Sequence, residues 1–165
     1  MAVENISRLA CDTLEDNRLA SYTEKSSRYQ ILDANAFFEP DELDNSESLY
    51  IYREACQGLF DSYTRMVAKM IDSLPSVVPR LPDESDGGYK LRLRRAAVDS
   101  CRFVLPASTL TNVGVTMNAR SMEHAITKLL SSDLQEERAI GQELLVQGRM
   151  ITPTLIKYAL SLIHI

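Results

Sequence analysis

Apolar residues recur at steps of three and four between Ser46 and Leu74. Leu49, Tyr52, Cys56, Leu59, Tyr63, Met66, Val67, Met70 and Ile71 carry the pattern, with charged residues between them. That period is one face of an amphipathic helix, so a long helix is predicted here. Asn45 or Ser46 supplies the N-cap, Glu47 sits in the first turn and Pro75 marks the end. The prolines and Gly pair of "PSVVPRLPDESDGG" predict a loop. A second helix is read over Tyr89 to Val104, stopped by Pro106, and its basic run "KLRLRR" reads as a solvated face. A third is read from Thr109 to Leu130 on Leu110, Val113, Met117, Met122, Ile126, Leu129 and Leu130. Gly114 weakens that helix by roughly 1 kcal/mol relative to Ala, and gives a neighbouring helix or a flat ligand room to approach. "SSDLQEERAIGQELLVQG" reads as a fourth helix, with a Ser cap and acids in its first turn. "TPTLIKYAL" reads as a short one, with Thr152 as cap and Pro153 at the first helical position. Only Tyr29 to Leu32 reads as extended, so the pattern alone predicts a mostly helical chain.

Composition narrows the class. The 165 residues suit one domain or a piece of a larger protein, and the net charge of −5 argues against a general nucleic-acid or membrane-surface binder. No apolar run approaches the eighteen or so residues of a membrane span. Met1 to Ala10 carries Glu4 and Arg8 and does not read as a secretion signal. Cys11, Cys56 and Cys101 are odd in number and widely spaced, with neither metal-type nor disulfide-framework spacing, and read as reduced packing thiols of a cytoplasmic protein. The last six residues, "LSLIHI", resemble a peptide encoded by a sequencing-library adapter. Residues 160–165 are therefore read as an adapter-derived tail, His164 is given no role, and 1–159 is read as one domain, itself partial.

Candidate chemistry gathers in two polar clusters. Arg18, Ser21, Glu24, Ser26 and Arg28 form one; Arg102, Asn118 and Arg120 form the other. No phosphate loop, metal-ligand spacing or nucleophile elbow is present. His124, the one interior histidine, reads from its helix as structural. A phosphate is bound by forked guanidinium donors, hydroxyls and backbone N–H groups, and "EKSSR" supplies these types in five residues. If extended, the segment puts Glu24, Ser26 and Arg28 on one side. The residues alone leave two readings open, a phosphate site or an exposed charged turn.

Two ordered motifs resemble the flavin-dependent thymidylate synthases. "RLASYTEKSSRY" at Arg18 to Tyr29, followed by "FFEPDEL" at Phe37 to Leu43, is similar to that family's Arg-His-Arg, seven residues, then Ser. "CRFVLPASTLTNVGVTMNARSMEHAI" at Cys101 to Ile126 is similar to its Arg before Leu-Pro, with Asn-Ala-Arg-Ser twelve residues after the Pro. The resemblance covers roughly Ile6 to Tyr158. It implies an α+β fold, a predominantly helical region beside a small antiparallel sheet, with N-terminal strands ahead of the first motif truncated. It implies methylation of dUMP to dTMP, with methylenetetrahydrofolate as carbon donor and FAD passing a hydride from NADPH. By position it implies that Ser26, Arg28 and Arg102 bind dUMP. Glu24 lies between nucleotide and flavin, and Arg18, Asn118, Arg120 and His124 face FAD. Arg18, Glu24 and Ser26 are the implied catalytic residues. No metal is implied, and the expected partners are dUMP and either further copies in a homotetramer or a second like domain.

The sequence also departs from that pattern. Asp16-Asn17-Arg18 stands where the family has Arg-His-Arg, and an acid beside a pyrophosphate is repulsive. After the Asn-Ala-Arg-Ser block, Leu129 stands where a further Arg is expected, with Lys128 one residue away. The chain is similar to the first half of long family members that hold two such domains in tandem. Two functions therefore stay open: an active thymidylate synthase domain, or a non-catalytic half that supports assembly or its partner's site. A third reading, an unrelated helical interaction protein, is outweighed by the paired motifs.

Overall fold

The computed structural model of the chain describes residues 1–44 and 46–160, so Asn45 and all of the expected tail but Leu160, His164 included, lie outside the described residues. In chain order the elements are β1 (Ala2–Ser7), α1 (Arg8–Glu15), β2 (Ala20–Glu24), α2 (Glu47–Ser73), α3 (Asp86–Cys101), β3 (Leu110–Met117), α4 (Ala119–Leu130) and α5 (Gln135–Ile151). Short 3-10 turns lie at Asp41–Leu43, Leu74–Ser76 and Arg102–Val104. The chain divides into two compact units. One comprises Met1–Lys25, Phe38–Asn45 and Leu110–Ile165, the other Ser26–Phe37 and Ser46–Thr109. No helix among the described residues is long and apolar enough to cross a membrane.

The first unit is built on an antiparallel sheet of order β1-β3-β2. Its central strand is the clearest departure from the helical expectation for Thr109 to Leu130. In β3 Thr111, Val113 and Val115 are buried while the residues between them are not, a period of two set by β-branched side chains. Helix begins only at Ala119. Gly114 therefore belongs to a strand, paired with Ala2 and Thr23, and not to a helix. β1 carries an irregularity between Val3 and Ile6, where Asn5 takes a φ of 57° and donates its N–H to Asn112 Oδ1 at 2.8 Å. Asn tolerates that left-handed conformation better than most residues. One strand and one helix thus precede Arg18.

Ser7 starts α1, its Oγ accepting from the Ala10 N–H at 3.0 Å and donating to Glu136 Oε2 at 2.6 Å. Ile6, Leu14, Val113, Ile126, Leu129 and Leu145 form the centre of the core. The α4–α5 packing is close: a Cβ on Gly141 would lie 2.9 Å from Leu129 Cβ and 3.1 Å from the Leu130 nitrogen. Helix α5 has no side-chain cap. The expected Ser lies two residues before the cap position, Ser132 Oγ accepting from the Leu134 N–H at 3.0 Å. Residues 153–158 form turns instead of the short helix read at "TPTLIKYAL", and Ile156 and Ala159 are buried in the core.

The second unit pairs α2 with α3. Ser46 caps α2, its Oγ accepting from the Leu49 N–H at 3.3 Å. Ser85 caps α3, whose first residue, Asp86, lies three residues ahead of the expected start at Tyr89. Tyr63 and Val67 pack against Ala97, Val98 and Cys101. Tyr29 to Leu32 forms no strand: residues 27–29 form a turn, and the extended pairing nearby is a single bridge between Phe37 and Thr109. All three cysteines are free and buried, and burial pushes the Cys11 thiol up to about 12, helped by the nearby Glu15 and Glu24 carboxylates.

Candidate functional site

Two clusters of site residues form, one in each unit. In the first, β3 runs into α4 through a single residue, Asn118, whose backbone is extended and whose Oδ1 accepts from the Ser121 N–H at 2.9 Å. This cap fixes the start of α4 and puts Arg120 in its first turn, with His124 one turn further along the same face. Ser121 Oγ donates to the Leu19 carbonyl at 3.0 Å, tying the segment after α1 to this helix end. Together Asp16, Asn17, Arg18, Leu19, Arg120, Ser121 and His124 line an open cleft of about 360 Å³. Three of the four residues expected to face a flavin, Arg18, Arg120 and His124, are thus brought together. Asn118, the fourth, serves as the cap.

The cleft suits an anion. Two guanidinium groups line it beside a helix N-terminus, whose first N–H groups and dipole favour negative charge. Its volume holds a pyrophosphate and part of what flanks it, at the low end of small-molecule sites. The departures from the family motif sit here too. Asn17 is buried, its Nδ2 donating to the Leu14 carbonyl at 2.8 Å and its Oδ1 left without a partner among the described residues. Asp16 forms an ion pair with Lys128, Oδ2 to Nζ at 2.7 Å, and the Lys128 hydrogen bond holds its carboxyl below the usual range.

Glu24 ends β2, and its carboxylate is paired with Arg8 and accepts from Thr111 Oγ1 at 2.8 Å. Only 22% of its side chain is exposed. The strand stops at Glu24, so the expected alternation carrying Glu24, Ser26 and Arg28 along one side does not occur. Burial, then the Glu24 charge, pushes the neighbouring Glu15 carboxyl up.

The second cluster lies in the α2–α3 unit. Ser26 to Tyr29 is a turn in which Ser26 Oγ accepts from the Arg28 N–H at 3.3 Å. Asp99, near the end of α3, accepts from Arg102 Nε at 3.0 Å and stands 3.5 Å from Arg28 Nε. Arg95, one helical turn before Asp99, lays its guanidinium over the Tyr29 ring at 5.1 Å. Two arginines thus contact one carboxylate, and a third stacks on the tyrosine of the neighbouring turn. Ser26 and Arg28, expected to hold a nucleotide phosphate, and Arg102, expected as a further nucleotide contact, come together around the Ser26 turn and Asp99. Arg95 was hidden in a run read as a solvated face. Its spacing of four to Asp99 and seven to Arg102, one helix face, was the signal available.

Residues 1–154 match the family model of the thymidylate synthase complementing protein, Thy1. The chain belongs to this family. A UPF0159 protein of Chlamydia muridarum is 31% identical over 165 residues, an alignment that takes in 96% of this chain and 31% of that protein. A flavin-dependent thymidylate synthase of Clostridium tetani is 27% identical over 96% of this chain and 61% of its own length. The chain therefore spans about a third of the first relative's length and under two thirds of the second's. Among solved structures, the flavin-dependent thymidylate synthase ThyX of Helicobacter pylori, complexed with FAD and dUMP, superposes with a TM-score of 0.53. The match has 20% identity and covers 97% of this chain and 72% of that one. The small antiparallel sheet and its helices are thus the Thy1 fold, and both clusters fall inside the matched range.

Proposed function

We propose that the chain is a flavin-dependent thymidylate synthase domain, converting dUMP to dTMP with methylenetetrahydrofolate as carbon donor and NADPH as reductant. The observation that carries this reading is the pairing of Arg28 and Arg102 with Asp99, beside the turn in which Ser26 bonds the Arg28 backbone. Each guanidinium offers five N–H donors, of which Asp99 engages a small share, so the remainder can bond a phosphate dianion bidentately. Arg95, beside Tyr29, adds a further cation to the same site. In the other unit, Arg18, Arg120, His124 and the N–H groups of α4 hold the FAD pyrophosphate, with Asn118 fixing where that helix begins. Bound flavin supplies the hydride chemistry. Binding and orientation are then the main work of this chain's residues. Glu24, held by Arg8 and Thr111, is the carboxylate placed at the end of β2. The reading places the protein in the cytoplasm, acting as a homo-oligomer or with a second like domain.

Titration calorimetry with dUMP tests the phosphate assignment. Arg28→Ala is expected to weaken binding by at least about tenfold, the order of one lost charge-assisted hydrogen bond. Unchanged affinity refutes it. Asp16-Asn17 in place of two cationic residues favours a second reading, a non-catalytic half that completes another domain's site. Purified protein that binds dUMP but takes up no flavin from excess FAD, as read by absorbance, would support that second reading over the first.

A further inference from the structure

We infer that Lys128 is a charge-compensating, positioning residue of the α4 cleft: by pairing with Asp16 it keeps a cleft that contains an acid receptive to an anion. The inference rests on the reading of this cleft as the FAD pyrophosphate site.

Arg120, His124 and Lys128 follow each other at steps of four along α4, so they form one stripe down a single face of the helix. Asp16 lies across from the far end of that stripe, at the C-cap of α1. Lys128 Nζ donates to Asp16 Oδ2 at 2.7 Å and to the Thr13 carbonyl at 3.1 Å, so it is held by two groups at the end of α1. Without Lys128, the cleft would set the Asp16 carboxylate against Arg18 and Arg120 and leave one net positive charge, counting His124 as neutral. With it, Asp16 and Lys128 cancel and both arginines remain available. Charges this close to a bound anion lie well inside the Debye length, about 8 Å at physiological salt, so the pairing acts on the ligand directly. The Asp that replaces a family cation is thus matched by a Lys elsewhere in the chain, 112 residues away.

The test is binding of FAD, and of inorganic pyrophosphate as the minimal probe, to four full-length proteins. Lys128→Met is expected to weaken both by about tenfold, the order of one uncompensated charge beside the ligand. Lys128→Arg keeps the charge and is expected to bind within about twofold of wild type. The decisive protein is the double variant Lys128→Met with Asp16→Asn. Removing the acid is expected to restore binding to within about twofold of wild type, which loss of a merely structural contact to Thr13 would not allow. Wild-type binding that Lys128→Met leaves unchanged, or that the double variant fails to restore, overturns the inference while leaving the cleft reading intact. Wild-type protein that binds neither FAD nor pyrophosphate overturns both.

Discussion

Glycine-to-alanine substitutions at three helical positions are expected to change stability with opposite signs. In α5, a Cβ on Gly141 would stand 2.9 Å from Leu129 Cβ and 3.1 Å from the Leu130 nitrogen. The second neighbour is backbone, which no rotamer change can move aside. Overpacking of this kind costs about 1–3 kcal/mol, and the helix preference of Ala over Gly returns roughly 1 kcal/mol. Gly141→Ala should therefore destabilise by up to about 2 kcal/mol, lowering Tm by up to about 8 °C for a chain of this size. At Gly148 a Cβ would meet Ile156 Cδ1 at 2.7 Å and Met122 Sδ at 2.9 Å, the ends of flexible side chains, so the loss should be smaller. At Gly58 in α2 nothing lies within 4 Å, and Gly58→Ala should gain up to about 1 kcal/mol from helix preference alone. Urea midpoints at constant slope measure all three. Because α4 carries Arg120 and His124, Gly141→Ala should also weaken pyrophosphate binding, whereas Gly58→Ala should not. A Gly141→Ala protein more stable than wild type, or a Gly58→Ala protein less stable, would refute the packing argument.

Two further outcomes are expected. Arg95→Ala should reduce dUMP affinity several-fold in calorimetry while leaving FAD and pyrophosphate binding unchanged, since Arg95 belongs to the second cluster only; a loss of pyrophosphate affinity as well would count against that assignment. Glu15→Gln should stabilise the protein at pH 7 and much less at pH 4. The folded-state pKa of Glu15 is raised, so the stability of its neutral form is complete below its unfolded value of 4.5 and is lost as pH rises through the folded value. Urea midpoints of both proteins at the two pH values check it, and a larger gain at pH 4 would show the sign to be wrong.

The helical half of the molecule was legible because α2 and α3 bury one stripe at the helical period, and Ser46 caps α2 as expected. The sheet was not. In β3, Leu110, Val113 and Met117 happen to fall at steps of three and four, which imitates a helix. The true signal, β-branched Thr111, Val113 and Val115 at steps of two, is only three residues long. β1 was obscured by Glu4 and Asn5, polar residues that its irregularity accommodates. The grouping of the candidate residues was legible where motifs carried it: Arg18 with Arg120 and His124, and Ser26 with Arg28 and Arg102. It was illegible where partners are set by tertiary packing. Nothing local links Asp16 to Lys128, or commits Glu24 to Arg8 and Thr111.

Between the central strand and the helix that presents Arg120 there is one residue, Asn118. The site therefore has no hinge on that side, and the place of the guanidinium is dictated by the hydrogen-bond ladder of β3. Adding or deleting a residue there would rotate the cationic stripe off the cleft and uncap the helix in one step. Changes of loop length, a common way for a cleft to be reshaped, are closed to this one. It can be retuned only by exchanging side chains in place, and an acid at position 16 answered by a lysine at position 128 is an exchange of that kind.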